Sequence, residues 1–323
     1  LMYFNLVRIF GDVQLVVQET ANPNDFFGQA RTPKDEVYKQ IIKDLTDAFA
    51  VLPEKAVERG RVTKGAAAGI LGKVYLTLGD YDNCLKYLHE VEKYGYELLK
   101  EPADIFDVNK KGNKEVIFDI QFESGINGNS EGSNAFQFFS PTGSVSGAKG
   151  HNLPTKEVYD LFSDNDKRRS AYFVITKKGV IGTGKLKKTS DTVKDGGSNI
   201  IVLRYADVIL MSAECYAEKG NISEANTYLK QIKERAGILA MSIDDLSLLK
   251  AEIALERRKE LVNEGHRWFD LIRTDKAIEV MKLHFMNTPG YEDVQISTLN
   301  YVQPIPQSQI DSDSATKQNE GYN

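Results

Sequence analysis

The chain has few of the residues that most often carry chemistry or covalent cross-links. Among its 323 residues there are two cysteines, one tryptophan and four histidines. Cys84 and Cys215 each stand alone inside a helical pattern, which predicts buried small side chains, although a disulfide between such distant positions stays open from sequence. The histidines are scattered and no cysteine pair accompanies them, so we expect no zinc site, and no motif calls for a cofactor.

Long apolar runs and an excess of positive charge are also missing. No apolar segment approaches the roughly 20 residues that span a bilayer. The chain contains 41 Lys and Arg against 46 Asp and Glu, a net charge of −5, which gives nucleic acid no general electrostatic reason to bind. A hydrophobic content of 41% suits a globular protein with one large core or two modest ones.

Helical periodicity is clearest after residue 205. Apolar or small residues at 206, 209, 210, 213, 216 and 217 form one helical face, which ends at Gly220. Residues 225, 229, 232 and 236 line a second helix. A third is predicted to begin at Ser242, which would cap it with Asp245 three residues later, and to carry Glu256, Glu260 and Glu264 along one side.

This two-helix pattern occurs twice. A shift of 141 positions (216 minus 75) superposes Tyr75 on Tyr216, Gly79 on Gly220, Tyr87 on Tyr228 and Leu88 on Leu229. Two helices joined by a glycine-containing turn are typical of tetratricopeptide units. We therefore predict an all-α fold of tetratricopeptide-like helix pairs, with one helical part over residues 1–95 and a second, with a C-terminal tail, over 200–323.

The segment over 96–199 is predicted to be a long irregular insertion with a minor β-hairpin. Apolar residues alternate between Val116 and Phe122, as in a half-buried strand. Residues 124–134 are rich in Gly, Asn and Ser, which favour turns, and a loose hairpin is expected between Tyr172 and Asn199. A loop this long in a compact domain is usually functional or disordered.

Two catalytic or nucleotide motifs lack their context. Gly179 to Lys185 has the glycine and lysine positions of a phosphate-binding loop, but Leu186 replaces the hydroxyl residue and no amphipathic helix follows. Glu256, Glu260 and Glu264 offer paired acids of the kind that glycoside hydrolysis needs. Because Arg and Lys alternate with them at helical spacing, a structural ion-pair network is the favoured interpretation.

One part of the insertion has the composition of a sugar site. Stacking on pyranose rings needs flat apolar side chains, and hydroxyl groups need amide and imidazole partners. The predicted ligand-binding residues are Asn134, Phe136, Phe138, Phe139, His151 and Asn152. An alternative is that the three phenylalanines anchor the loop onto the helices, since exposed aromatic residues are costly unless used.

Several motifs together resemble those of a known family. They are Arg204-Tyr205-Ala206-Asp207-Val208, the run from Glu256 to Leu261, the run from Glu264 to Arg273, and the closing Pro304-Ile305-Pro306 and Gln318 to Tyr322. In this order they look like the C-terminal half of the SusD/RagB family. The resemblance implies a non-catalytic, cell-surface, nutrient-binding lipoprotein of the outer membrane, paired with a SusC-like TonB-dependent transporter.

The resemblance also implies a segment before this sequence. The helical pattern from Met2 to Phe10 and the following Gly11-Asp12-Val13 resemble a family feature found well after the N-terminus, with Gln14 in place of a proline. We therefore expect an upstream segment with an export signal and a lipid anchor.

The expected function is binding of a nutrient for import, with an oligosaccharide as the expected ligand. Two alternatives stay open at this point. One is a helical-repeat scaffold that binds peptides or proteins, and the other is an α-helical glycoside hydrolase.

Overall fold

Helices are the main regular structure of the chain, and two small sheets accompany them. The structure, a computed structural model, describes residues 1–22, 27–126, 128 and 131–322. Asn127, Asn129 and Ser130 of the predicted glycine-rich loop lie outside the described residues. The helices are α1 Met2–Phe10, α2 Lys34–Val51, α3 Lys64–Thr77, α4 Tyr81–Glu92, α5 Ala135–Phe139, α6 Lys156–Asp160, α7 Lys167–Tyr172, α8 Tyr205–Glu218, α9 Ile222–Arg235, α10 Leu246–Glu260, α11 Arg267–Arg273, α12 Ala277–Met286 and α13 Gln307–Ser312.

The strands and short 3-10 helices lie mostly in the middle of the chain. The strands are β1 Val116–Ile120, β2 Phe173–Ile175, β3 Ile181–Thr183 and β4 Ile200–Arg204, and the 3-10 helices are Pro102–Phe106, Val108–Lys110 and Thr298–Tyr301. The contacts divide the chain into two compact units, one formed by residues 1–48 and 268–323 and the other by residues 49–267. None of the described helices is long and apolar enough to cross a membrane.

The two predicted helix pairs are present in the unit 49–267, as α3 with α4 and α8 with α9. In the first pair the rings of Tyr75 and Tyr87 stack with centroids 5.7 Å apart. In the second, Tyr216 and Tyr228 stack at 5.6 Å. These four residues occupy the positions that the 141-residue shift superposes, so the internal repeat is confirmed in space.

The turns of the two pairs are equivalent as well. Gly79 and Gly220 have φ values of 74° and 76°, a left-handed conformation that glycine adopts without steric cost. Each is followed by a residue that caps the next helix: the Asp80 side chain accepts from the backbone of α4 and the Asn221 side chain from that of α9. The same local chemistry therefore reverses the chain twice.

Small residues let these helices approach closely. A Cβ atom at Gly72 would overlap the Cδ2 atom of Leu88, which is fully buried on α4. Ala213 occupies the equivalent position on α8 and is also fully buried. Cys84 and Cys215 are both buried and do not form a disulfide, as the prediction of small buried side chains requires. The core of the second pair continues through Ile209, Leu210, Leu229, Ile232, Leu249 and Ile253.

Both sheets contain two antiparallel strands. The predicted hairpin is formed by β2 and β3. The sequence did not predict β4, because Ile200–Arg204 is a short apolar run that leads directly into a helix. It pairs with β1, and Val116 lies opposite Arg204 while Ile120 lies opposite Ile200. This sheet joins the beginning of the insertion to its end, immediately before α8.

The unit formed by residues 1–48 and 268–323 is closed by its C-terminal segment. The side-chain amide of Asn319 donates to the carbonyl of Phe10 at 3.1 Å and to that of Gln303 at 2.7 Å. Arg31 donates to Asn319 and also to the carbonyl of Phe10, at 3.1 Å. The closing motif thus satisfies carbonyl groups at the end of α1, which explains its sequence in structural terms.

Candidate ligand-binding site

A cluster of ten charged side chains lies buried within the unit 49–267. None of these side chains is more than 9% exposed, and five cations balance five carboxylates. We call this set the charge cluster; it contains Arg168, Lys185, Arg204, Arg235 and Lys259 with Glu115, Asp166, Glu256, Glu260 and Glu264.

Glu260 is the centre of the charge cluster. Its carboxylate accepts hydrogen bonds from Arg204 at 2.6 Å, from Arg168 at 3.0 Å, from Arg235, and from the Tyr172 hydroxyl at 2.9 Å. Burial alone would raise the pKa of Glu260, but the three guanidinium groups hold it well below its ordinary value. The carboxylate therefore stays ionised although it has no exposed surface.

Arg204 extends the charge cluster on two sides. It makes two bonds of 2.8 Å to the carboxylate of Glu264 and one of 2.9 Å to Glu115. Lys185 also binds Glu264, at 2.6 Å. Burial lowers the pKa of Lys185 to about 8, which Glu264 only partly offsets. Paired geometry of this kind is what allows charges to remain inside a protein.

The charge cluster connects the insertion to the helical scaffold. Asp166 and Arg168 belong to the beginning of α7, and Lys185 follows β3, so all three come from the insertion. Glu115, just before β1, also comes from the insertion. The scaffold contributes Arg204 at the end of β4, Arg235 on α9, and Glu256, Lys259, Glu260 and Glu264 on α10 and the turn after it. Arg168 binds Asp166 at 2.8 Å and Glu256 at 2.5 Å. Ion pairs between the insertion and the scaffold thus hold the two together.

The predicted ion-pair network of Glu256, Glu260 and Glu264 is confirmed, and two details of that prediction are wrong. The cap of α10 is Asp245, not Ser242, because the Asp245 side chain accepts from the backbone amide of Leu248. The helix ends at Glu260, so Glu264 lies in the following turn and not on the same helical side. The turn places the Glu264 carboxylate within ion-pair distance of Arg204 and Lys185.

The phosphate-binding motif dismissed from sequence also has a structural role. Gly179 has a φ of 79° in the turn between β2 and β3, and Lys185 points into the charge cluster, with its ammonium 3.0 Å from the carbonyl of Glu260. Among the residues that the structure describes, no group of three His, Cys, Asp or Glu side chains is placed to hold a metal ion.

The six predicted ligand-binding residues fall on α5 and the loop that follows it. The rings of Phe138 and His151 stack with centroids 5.3 Å apart and an interplanar angle of 25°. The backbone amide of His151 donates to the carbonyl of Phe138 at 2.7 Å, and that of Lys149 to the carbonyl of Gln137 at 3.0 Å. Two backbone bonds therefore fix the ring pair, which we call the aromatic pair.

Exposure divides the predicted residues into two groups. Asn134, Phe138, His151 and Asn152 are exposed, and Phe138 retains 37% of its surface. Phe136 and Phe139 are half buried. The structure thus brings Phe138, His151 and Asn152 together at the surface, and places Asn134 at the opposite end of the short helix α5.

Two residues near the aromatic pair, Gln137 and Asn263, are not among the six predicted residues. Gln137, whose amide suits a sugar hydroxyl, is buried and donates to the carbonyl of Gly147 at 3.0 Å. Asn263 donates to the carbonyl of Asn152 at 3.1 Å. Since Asn263 directly precedes Glu264, this bond links the candidate site to the charge cluster. In the sequence, only the glycine two positions later, Gly265, indicates a turn at this point. Asn263 itself has a φ of 61°, in the left-handed region.

Four residues of the candidate site, Asn134, Phe138, His151 and Asn152, are exposed. Two clefts near β1 contain none of the six predicted residues: one is lined in part by Asp119, Asn199 and Lys185, and the other by Arg59, Gln121 and Glu123. Enclosed pockets suit small molecules. An exposed aromatic face with flanking amides suits one segment of a long polymeric ligand.

The central position of Glu260 leads to a stability prediction. Glu260→Gln removes the negative charge that faces three guanidinium groups, and breaking a buried pair costs about 3 to 5 kcal/mol. We expect the free energy of unfolding in urea to fall by that amount. The matched control is Glu279→Gln, which removes an exposed partner of Lys276 and should change the stability by less than about 0.5 kcal/mol. Equal effects of the two substitutions would contradict the role of Glu260.

The pKa of Glu264 leads to a pH prediction. Burial would raise this pKa, but Arg204 and Lys185 lower it from 4.5 to about 2. A depressed carboxylate pKa contributes stability that is complete above the ordinary value and is lost as the pH falls through the folded value, here on the order of 3 kcal/mol. The difference in unfolding free energy between wild type and Glu264→Gln should therefore shrink to less than half between pH 7 and pH 3. An unchanged difference would contradict the lowered pKa of Glu264.

Comparison with known proteins agrees with the geometry. A model of the SusD family matches residues 163–322, and one described as "Starch-binding associating with outer membrane" matches residues 1–76. SusD-like protein P2 of Formosa agariphila is 27% identical over 94% of this chain and 68% of its own length. A SusD-like protein of Bacteroides ovatus is 26% identical over 88% of this chain and 59% of its own length. The chain thus spans about three fifths to two thirds of these curated relatives.

Solved structures show the same fold. A laminarin-binding SusD-like protein is 28% identical, with a TM-score of 0.83 over 99% of this chain and 76% of that protein. A SusD superfamily protein from Parabacteroides distasonis is 26% identical, with a TM-score of 0.84 over 99% of this chain and 76% of its own. The predicted tetratricopeptide-like, mostly helical fold is confirmed, and the chain belongs to the SusD/RagB family.

Proposed function

We propose that this protein binds a glycan at the cell surface and passes it to a TonB-dependent transporter of the outer membrane. Membership of the SusD/RagB family supports the proposal, as does a related solved structure, 28% identical, that is described as laminarin-binding. The family description "associating with outer membrane" supports the location. The proposal includes a lipid anchor and a SusC-like partner transporter, and family membership is their only support.

The aromatic pair is the observation that carries the proposal for this chain. A pyranose presents C–H groups on its faces, and these pack against flat aromatic rings, while its hydroxyl groups need hydrogen-bonding partners. Phe138 supplies an exposed ring whose orientation is fixed by the stacked His151 and by the backbone bond between them. Because the ring is already fixed, the entropic cost of ordering it on binding is lower.

Polar groups lie beside the aromatic pair. Asn152 follows His151 directly, and its left-handed backbone, with a φ of 49°, turns the chain at this point while Asn263 holds its carbonyl. Its side-chain amide offers both a donor and acceptors to a sugar hydroxyl. Asn134 offers the same groups at the other end of α5.

The two interpretations of the phenylalanines therefore apply to different residues. Phe136 and Phe139 are half buried and anchor α5, whereas Phe138 is available to a ligand. A core of Phe138, His151 and Asn152, with Asn134 at its edge, is the binding site we propose. Contacts of this kind are individually modest, so affinity is expected to be weak and release quick, as delivery to a transporter requires.

The charge cluster supports a non-catalytic role. Glycoside hydrolysis requires one carboxyl group that holds a proton near neutral pH and a second that is ionised. The pKa values of Glu260 and Glu264 are both lowered, and Glu256, Glu260 and Glu264 are all engaged by arginine. We therefore propose that the protein binds a glycan without cleaving it. Peptide binding is the alternative that the titration described next would detect.

The test is isothermal titration with laminarin oligosaccharides and a panel of other plant, host and microbial glycans. Phe138→Ala should weaken binding about tenfold, because it removes the stacking surface. Asn152→Gly keeps the left-handed backbone and removes only the amide, so a smaller loss of about threefold is expected. Phe27→Ala is the matched control, since Phe27 is 57% exposed and lies outside the insertion.

Three results would contradict the proposal. Saturable binding that Phe138→Ala leaves unchanged would move the site elsewhere. Binding of peptides with no binding of any glycan would favour the helical-repeat scaffold. Release of reducing ends during the titration would show an enzyme.

A further inference from the structure

The part of the insertion that contains the aromatic pair is basic, although the chain is acidic. Residues 136–199 include eleven Lys and Arg against six Asp and Glu, a net charge of +5. The whole chain has a net charge of −5, so the remainder carries −10. The positive charge is therefore concentrated in the segment that presents the proposed site.

Every carboxylate of residues 136–199 is engaged within the protein. Four pair with cations, and Asp166 lies in the charge cluster, while Asp195 is buried and accepts from the backbone amide of Gly125 at 2.7 Å. The four pairs are Glu157 with Arg258, Asp160 with Lys156, Asp164 with Arg169, and Asp191 with Lys188. No acidic residue of this segment is left to compensate its other lysines, of which Lys167 and Lys185 pair with Glu101 and Glu264 outside it.

Four exposed lysines of residues 136–199, a range that the structure describes throughout, have no carboxylate partner there: Lys149, Lys177, Lys178 and Lys194. Exposed lysines elsewhere are often paired within their own helix, as Lys39 is with Glu36 at 2.7 Å and Lys276 with Glu279 at 2.9 Å. Exposed lysines without a carboxylate partner among the described residues also occur elsewhere, as Lys55 and Lys100 do, so the local feature is that four of them lie in the one segment of net charge +5 that presents the proposed site.

Two of these lysines lie on or next to the loop that carries His151. Lys149 lies two residues before His151, and its backbone bond to Gln137 places it beside α5. Lys194 follows Val193, whose side chain packs against Gly147, since a Cβ atom there would lie 3.5 Å from Val193 Cγ2. Residue 194 thus follows a contact with the same loop, residues 147–151, that carries His151.

The other two lysines occupy the turn of the β2–β3 hairpin. That hairpin packs against the segment after α5, because a Cβ atom at Gly182 would lie 2.8 Å from Pro141. Val174 and Ile175 beside the turn are 47% and 54% exposed. The hairpin therefore carries exposed apolar and cationic groups on an element that contacts the α5 region.

We infer that the glycan bound at this site is anionic and carries carboxylate or sulfate groups that meet Lys149 and Lys194, with Lys177 and Lys178 available to a longer chain. The inference rests on the proposed function. A neutral glycan needs only the aromatic pair and the amides. Local positive charge attracts an anionic polymer that the net charge of the rest of the protein would repel, and exposed ion pairs of this kind weaken as salt rises.

The experiment compares wild type with Lys149→Gln/Lys194→Gln by isothermal titration at about 0.05 M and about 0.5 M salt, which changes the screening length several-fold. The probes are oligogalacturonate, a sulfated galactan oligosaccharide, neutral laminari-oligosaccharide and polyglutamate. Lys55→Gln is the matched control, because Lys55 is exposed and lies outside the insertion.

We expect one of the two anionic glycans to bind more tightly than the neutral glycan, and which of them binds separates carboxylate from sulfate recognition. The double variant should weaken that binding about threefold to tenfold at low salt. High salt should abolish most of this difference, while Lys55→Gln changes nothing.

Two results would overturn the inference and leave the proposed function standing: preference for the neutral glycan, or binding of an anionic glycan that the double variant does not affect. Polyglutamate bound as tightly as the glycans would show general attraction of polyanions and would overturn it too. Failure to bind any glycan would instead contradict the proposed function itself.

Discussion

The ionised carboxylate of Glu260 is the interaction on which the arrangement of the insertion depends. Three guanidinium groups and a tyrosine hydroxyl converge on it at a position with no exposed surface. A buried charge of this kind is costly when any partner is missing and contributes little net stability when all are present. Because its partners come from α7, β4 and α9, the charge cluster forms only when the insertion and the scaffold have the native arrangement. We therefore interpret the charge cluster as the interaction that specifies this arrangement.

The site at the surface follows from this anchoring. The helix pairs provide a rigid base through their repeated turns, stacked tyrosines and small residues between helices. The β1–β4 sheet closes the base of the insertion, and the bond from Asn263 to Asn152 connects the turn after α10 with the loop that carries His151. The scaffold therefore sets where the aromatic pair lies, while the sequence of the insertion sets what it can bind. This division explains how one helical framework can present different ligand surfaces.

The sequence predicted best what local rules determine. The helix pairs have a 3.6-residue period and a repeated glycine turn, and both signals are contained within about forty residues. The strand β4 was missed because its partner β1 lies some eighty residues earlier, and a short apolar run cannot show its own pairing. Composition identified the aromatic and amide residues of the candidate site but not their exposure. Whether Gln137 turns inward and Phe138 outward is decided by tertiary contacts with Gly147 and His151.

Hydrogen exchange can test directly whether the charge cluster holds the insertion on the scaffold. Arg168→Lys keeps the positive charge but cannot form the planar set of bonds to Asp166, Glu256 and Glu260. Amide hydrogen exchange followed by mass spectrometry compares this variant with wild type under conditions where both are folded. We expect faster exchange in residues 133–151 and in the β2–β3 hairpin, with α3 and α4 unchanged. Equal exchange in the insertion, or a uniform increase along the whole chain, would contradict it.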